Sequence, residues 1–340
     1  MKILFTNENR NFGGSEKYCL ELARELTKAG MEIHFWIEKD SWLDQHCELP
    51  KHYSRFRGEI DPASYWRLWR LQRQQRYDWI HCHATRDFTA ASLFPLGVPI
   101  IKHEHCYLGS SVSAWLKRCY QRCFCLVAVS KDLAHHLQER TQRSQAIVIH
   151  NAVQLPKPAA EAAREQLVIG NVTSFHPGKG QLELWKIVEP LLQKRPNLKL
   201  FLGGDGPERS TVLELAQAAN LSERVSCPGH QDDPVKAMSG LDIVLLASRQ
   251  ETFSLVCAEA MSLGKPVLAY RCGGIVEVVK DDVTGRLFDN GQADQFRQAL
   301  SELLDNPKDR QRLGAAGRLR VAQKFSWQQI VSEWKKLYQA

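Results

Sequence analysis

Residues 248–275 read SRQETFSLVCAEAMSLGKPVLAYRCGGI, with Glu251 and Glu259 eight positions apart. The apolar run 241–247 before them predicts a buried strand, and 254–263 predicts a helix. A strand, a short polar loop and a helix start leave backbone N–H groups to hold a phosphate. Glu251 then falls in the mouth of the loop and Glu259 on the helix behind it. Carboxylates repel a phosphate, so beside such a cradle their use is to accept hydrogen bonds from hydroxyls. A sugar and a ribose both offer hydroxyls, and the pattern points to a nucleotide-sugar site.

Three further groups carry chemistry. Gly13-Gly14-Ser15-Glu16 follows the first predicted strand and opens a helix. Paired glycines let the backbone approach a ligand closely, and Ser15 is expected to cap the helix. The stretch is not a G-x-G-x-x-G, which leaves a dinucleotide reading little support. Lys179-Gly180 in SFHPGKGQ offers a point cation suited to phosphate oxygens. His81-Cys82-His83 and His103-Glu104-His105 place histidines at alternate positions of two predicted strands, on one face each. Four converging imidazoles could take zinc or nickel, so a metal-dependent hydrolase on His81, His83, His103 and His105 is one alternative. A non-enzymatic nucleotide- or nucleic-acid-binding protein is another. Cys119, Cys123 and Cys125 have helix-like spacing and are expected to be buried thiols.

Taken together, Glu251, Glu259, Ala260, Met261, Gly264, Pro266, Val267, Gly273, Gly274 and Glu277 resemble the retaining glycosyltransferases of family 4. The resemblance implies an α/β chain of GT-B fold, with two Rossmann-like doubly wound domains facing each other across a cleft. It implies transfer of a sugar, with a lean to a UDP-sugar, onto a hydroxyl of a lipid-linked or lipopolysaccharide-core glycan, by metal-independent front-face displacement. His105, Lys179 and Glu251 take the catalytic places. Gly13, Gly14, Ser174, Lys179, Thr252, Phe253, Ser254, Leu255 and Glu259 surround the donor, with Glu259 on the ribose. No metal and no cofactor are expected. The turn Gly203-Gly204-Asp205-Gly206-Pro207 resembles the family's G-D-G-P and shapes the nucleotide pocket, with His230 in the region that meets the base. Two departures stand out. Ser174 occupies the place of an arginine, so Arg209, Arg249 or Arg271 substitutes or the donor is held differently. Thr252 and Ser254 stand where relatives have glycine, and a positive φ there would cost energy.

The elements that must hold these residues alternate short apolar runs with helical periods, the mark of parallel α/β units. Strands are expected at 2–6, 33–37, 79–83, 99–103, 126–129 and 147–150, and again at 167–172, 199–202, 224–227, 241–246, 266–269 and 286–288. An acceptor-binding domain over 1–155, rejoined by a terminal helix at 326–340, precedes a nucleotide-sugar domain over 165–325. The proline-containing stretch 155–164 reads as their linker. Phe325, Trp327, Ile330, Trp334 and Leu337 form the expected stripe of the last helix.

A chain of 340 residues with net charge +7 and no apolar run of membrane-spanning length is expected to be soluble and globular. The opening MKILFT reads as a strand rather than an export signal, and the ten cysteines show no disulfide framework. The expected place is therefore the cytoplasm. The basic excess concentrates in 51–76, where Arg67, Arg70 and Arg73 alternate with Trp66, Trp69 and Leu71. Either the aromatics pack inward as an ordinary helix, or the segment lies on an anionic membrane at the inner face of the inner membrane. Nucleic acid is not an expected partner, since no RNP-like aromatic run occurs.

Overall fold

The structure is a computed structural model describing residues 1–56, 60–157 and 166–340. The expected linker runs outside these residues from 158 onward, as does 57–59 of the basic segment. The chain divides into two compact units, Met1–Asn151 with Trp327–Ala340, and Ala152–Ser326.

The first unit holds a parallel sheet of β1 (Lys2–Asn7), β2 (Glu32–Ile37), β3 (Lys51–Tyr53), β4 (Trp79–Cys82), β5 (Ile100–Glu104), β6 (Cys125–Ala128) and β7 (Ile147–Val148). Their order is β3-β2-β1-β4-β5-β6-β7. Helices cover both faces, which is why β1, β4 and β6 read as unbroken runs without alternation. His81, His83, His103 and His105 lie in this sheet's interior rather than at a surface. Their rings lie against each other along each strand, His81 and His83 stacked with centroids 4.3 Å apart and His103 and His105 tilted at 4.2 Å. Trp334 of the helix Trp327–Gln339 covers them at 4.6 Å from His81 and 4.9 Å from His103. The alternate residues of β5 face the other way, where fully buried Lys102 pairs with Glu104 at 3.2 Å.

The terminal helix corrects two members of its expected stripe. Trp327, Ile330, Val331, Trp334 and Tyr338 are its buried residues, while Leu337 is only half-buried. A 3.6-residue period starting at 327 favours 338 over 337. Phe325 precedes the helix and belongs to the second unit, where its ring meets Phe253 edge-on at 5.5 Å. In the helix Pro62–Gln75, Ser64 and Leu68 are buried, whereas Trp66 and Trp69 are 56% and 37% exposed. The inward-packing alternative for these aromatics is thereby excluded.

The second unit is built from β8 (Leu167–Val172), β9 (Leu198–Gly203), β10 (Val225–Gly229), β11 (Ile243–Leu246), β12 (Val267–Tyr270) and β13 (Gly285–Phe288). All are parallel, in the order β10-β9-β8-β11-β12-β13. The helix Gln181–Lys194 buries Leu184, Ile187, Val188 and Leu191, the i, i+3, i+4, i+7 face of an amphipathic helix. Each such side chain contributes about 1.5–3 kcal/mol by leaving water. Among the described residues no helix is long and apolar enough to cross a membrane.

Candidate active site

Each sheet reverses its strand order once, between β1 and β4 and between β8 and β11. Doubly wound sheets bind ligands in the crevice outside the carboxyl ends of the strands at such a reversal. In the second unit the segments leaving β8 and β11 run side by side there. Arg249 N–H donates to the Gly178 carbonyl at 3.0 Å, and the Ser248 hydroxyl to the Lys179 carbonyl at 3.5 Å. Gly180 has φ +71°, and a Cβ on it would stand 2.0 Å from the Ala247 carbonyl oxygen. That approach explains why glycine follows the lysine. The 3₁₀ turn Pro177–Lys179 then presents Lys179, whose Nζ donates to Glu251 Oε1 at 2.8 Å.

The loop carrying Glu251 is shaped from two sides. Gly274 N–H donates to the Glu251 carbonyl at 2.9 Å, and a Cβ at Gly274 would come within 2.3 Å of the Thr252 carbonyl oxygen. The side chain of Phe253 is buried and anchors the loop from below. Ser254 follows with φ +75° and caps the helix Leu255–Ser262, its Oγ accepting from Cys257 N–H at 3.5 Å. The predicted helix 254–263 thus loses one residue at each end, because Ser254 and Leu263 are its caps. Glu259 sits half-buried on that helix, and Ser174 is half-buried just beyond β8. Lys179, Glu251, Thr252, Phe253, Ser254, Leu255 and Glu259 are therefore gathered at one end of one sheet. No sequence pattern joins Lys179 to Glu251, since 72 positions separate them.

Of the three arginines considered as substitutes at Ser174, two are engaged elsewhere. Arg209 donates from Nε and Nη2 to the Cys227 carbonyl, at 3.0 and 2.6 Å. Arg271 pairs with Asp281 and Asp289. Arg249 is exposed and follows the strand end directly beside the Lys179 turn.

In the first unit, His105 lies one residue past β5, and its Nε2 is 3.1 Å from Nδ1 of His83. Burial and nearby Lys102 push its pKa down to about 3, so the ring is neutral near pH 7. Burial lowers His81, His83 and His103 too. His81, His83 and His103 each bring one ring nitrogen within 4.8 Å of the others. Gly13, not Ser15, caps the helix Gly14–Lys28. Ser15 lies inside the first turn and its hydroxyl donates to the Glu16 carboxylate at 2.9 Å. A Cβ on Gly13 would stand 2.5 Å from Glu16 Oε2, so this glycine makes room for that carboxylate.

Two family descriptions match nearly the whole chain between them. Residues 12–156 match Glycosyltransferase Family 4, and residues 153–320 match Glycosyl transferases group 1. The chain belongs to the family 4 glycosyltransferases. It is 25% identical over 358 residues to N-acetyl-alpha-D-glucosaminyl L-malate synthase of Bacillus anthracis, covering 96% of this chain and 93% of that one. Lipopolysaccharide core biosynthesis glycosyltransferase LpsD of Rhizobium meliloti is 26% identical over 336 residues, covering 96% and 95%. The crystal structure of Anabaena Alr3699/HepE in complex with UDP superposes with a TM-score of 0.84 at 21% identity, covering 99% of both chains. This glycosyltransferase therefore has the GT-B fold and is an enzyme of group transfer. Family membership gives no support to a hydrolase built on the histidines.

Proposed function

We propose that this glycosyltransferase retains anomeric configuration, takes its sugar from a UDP-sugar, and places it on a hydroxyl of a lipid-linked or lipopolysaccharide-core glycan. The second unit, Ala152–Ser326, binds the donor, and the first, Met1–Asn151 with Trp327–Ala340, binds the acceptor. The observation that carries this reading is the Lys179–Glu251 pair at 2.8 Å, beside the capped start of the helix that bears Glu259. A diphosphate arriving there gives Lys179 a better partner, and the released Glu251 turns its oxygens to sugar hydroxyls. Lys179 and the N–H groups of 252–255 neutralise charge on the leaving phosphate without a metal. Glu259 takes the ribose hydroxyls. His105, as a neutral ring, orients a sugar hydroxyl.

In the step itself the acceptor hydroxyl attacks the face from which the diphosphate departs. The glycosidic bond to the β-phosphate oxygen breaks as the new bond to the acceptor oxygen forms. The departing phosphate oxygen takes the acceptor's proton, and Glu251 holds the ring of the oxocarbenium-like sugar. The enzyme works in the cytoplasm, peripherally on the inner membrane face, a placement supported by the outward tryptophans of Pro62–Gln75.

Thermal unfolding against UDP-, GDP-, ADP- and CMP-sugars tests the donor assignment. A ligand at 100 times its Kd stabilises by about 2.7 kcal/mol. A shift with the UDP-sugar that disappears in Lys179→Ala and Glu259→Ala is the expected result. No shift with any nucleotide overturns the donor assignment.

A further inference from the structure

Two cavities of the first unit open beside the carboxyl ends of β1 and β2. The first, about 560 Å³, is lined by Glu8, Arg10, Phe12, Glu16, Glu38 and Arg86 among others. Its three carboxylates are buried, at 7%, 3% and 6% exposure for Glu8, Glu16 and Glu38. Each is fixed in place. Glu8 Oε1 accepts from Arg86 N–H at 3.0 Å, and its Oε2 lies 2.9 Å from Arg86 Nε. Glu16 Oε1 accepts from Asn9 Nδ2 at 2.6 Å. Glu38 pairs with Arg10 and accepts from Phe56 N–H at 3.3 Å. Buried carboxylates are costly, and three around one cavity make a wall of fixed acceptors suited to a ligand rich in hydroxyl donors. Burial and neighbouring Asp87 raise Glu8 to about 7, which lets it also donate near neutral pH.

The second cavity, about 510 Å³, shares Arg10 and Glu38 with the first and adds Lys39, Asp40, Arg55 and Arg67. Four basic residues (Arg10, Lys39, Arg55, Arg67) there face two acidic ones (Glu38, Asp40). Among the described residues, the side chains of Lys39, Arg55 and Arg67 make no ion pair or hydrogen bond. Three exposed cations along one concavity suit an anion, with arginine matched to phosphate geometry. The Arg10–Glu38 pair is the common wall of the two cavities.

We propose that these cavities bind the acceptor as a glycosyl phosphate, its sugar hydroxyls on Glu8, Glu16 and Glu38 and its phosphate on Lys39, Arg55 and Arg67. This rests on the reading that the first unit holds the acceptor. The phosphate comes from a free sugar phosphate or from a sugar diphosphate on a lipid, and the chemistry at the protein is the same. The test is calorimetric titration of the full chain, with UDP present, using glucose, galactose and N-acetylglucosamine, their 1-phosphates, and inorganic phosphate. One sugar 1-phosphate is expected to bind at least about tenfold more tightly than both its free sugar and inorganic phosphate. R55A/R67A, whose changes are on exposed side chains, is expected to erase that advantage. E8Q is expected to weaken the sugar phosphate and leave inorganic phosphate unchanged. A short-prenyl diphosphate sugar in detergent that binds tighter still assigns the lipid source, and one that binds no better assigns the free source. Equal affinity for sugar phosphate and phosphate, no binding of any sugar phosphate, or an R55A/R67A variant that binds as wild type overturns the proposal. If UDP still shifts the melting temperature in that case, the donor assignment stands while the acceptor site falls. If UDP gives no shift, the donor assignment falls by itself, and the cavities are judged on the R55A/R67A comparison.

Discussion

Ser254 holds a backbone conformation that an L residue adopts at a cost of about 1–2 kcal/mol. Its φ of +75° is set by the turn from the Glu251 loop into the helix Leu255–Ser262. What offsets the cost is one long capping bond, Ser254 Oγ to Cys257 N–H at 3.5 Å. Replacing a serine cap by glycine loses only a few tenths of a kcal/mol. Ser254→Gly should therefore stabilise the second unit by about 1 kcal/mol, since relief of strain exceeds loss of the cap. Urea unfolding followed by tryptophan fluorescence measures this. A Ser254→Gly variant less stable than wild type would show that the hydroxyl, and not the backbone, governs the turn.

The four histidines on and just past β4 and β5 form a cluster sensitive to pH. Each is neutral in the fold because burial disfavours its charged form, with His105 as low as about 3. Unfolding releases them to an ordinary value of about 6.5. Above that pH they contribute nothing to pH dependence. Below it the unfolded chain binds protons that the folded chain refuses, so stability falls as the pH falls. Glu8, raised to about 7, acts in the opposite sense, since the folded chain then holds the extra proton. A single histidine is therefore isolated best by difference. Both ring nitrogens of His103 are buried and, among the described residues, have no hydrogen-bond partner. His103→Leu should flatten the slope of stability between about pH 6 and 5 by about 1.4 kcal/mol per pH unit. Denaturation at a series of pH values reads that slope, and an unchanged slope would mean that His103 is charged in the fold. The strands also show where the sequence was legible. Helices on both faces force apolar runs onto β11 and β12, and such runs are visible without a fold. β3, three residues KHY at a sheet edge, has no such run. The two cavities were equally hidden, because Glu8, Glu16 and Glu38 sit singly after strand ends or inside a helix and converge only once β1 and β2 are side by side. The motif loop 251–259 was readable because its residues are neighbours in sequence. Its ion pair with Lys179 was not.

At the scale of the whole molecule, the net charge of +7 is unevenly spread, and the helix Pro62–Gln75 carries much of it on a face that also exposes indoles. The Arg70 guanidinium lies 5.8 Å from the Trp66 ring centroid, and that of Arg73 lies 4.9 Å from that of Trp69. Phe94, 58% exposed, continues the apolar surface through its edge contact with Tyr65 at 5.2 Å. Indoles with an apolar body and a polar N–H belong at a headgroup boundary, and each arginine near an anionic surface adds about 1 kcal/mol of attraction. The expected outcome is co-sedimentation with vesicles containing anionic phospholipid, weak association with neutral ones, and release at high salt. Trp66→Ala with Trp69→Ala should weaken binding at every salt concentration, because it removes the inserted apolar area. Arg67→Glu, Arg70→Glu and Arg73→Glu together should abolish it at low salt, where charge attraction is strongest. Since these side chains are exposed, stability should change by no more than about 0.5 kcal/mol for each. Loss of binding in a variant that melts like wild type thus reports the surface alone. Equal association with neutral and anionic vesicles, unaffected by the arginine reversals, would remove the membrane from the account and leave the charge to the acceptor's phosphate.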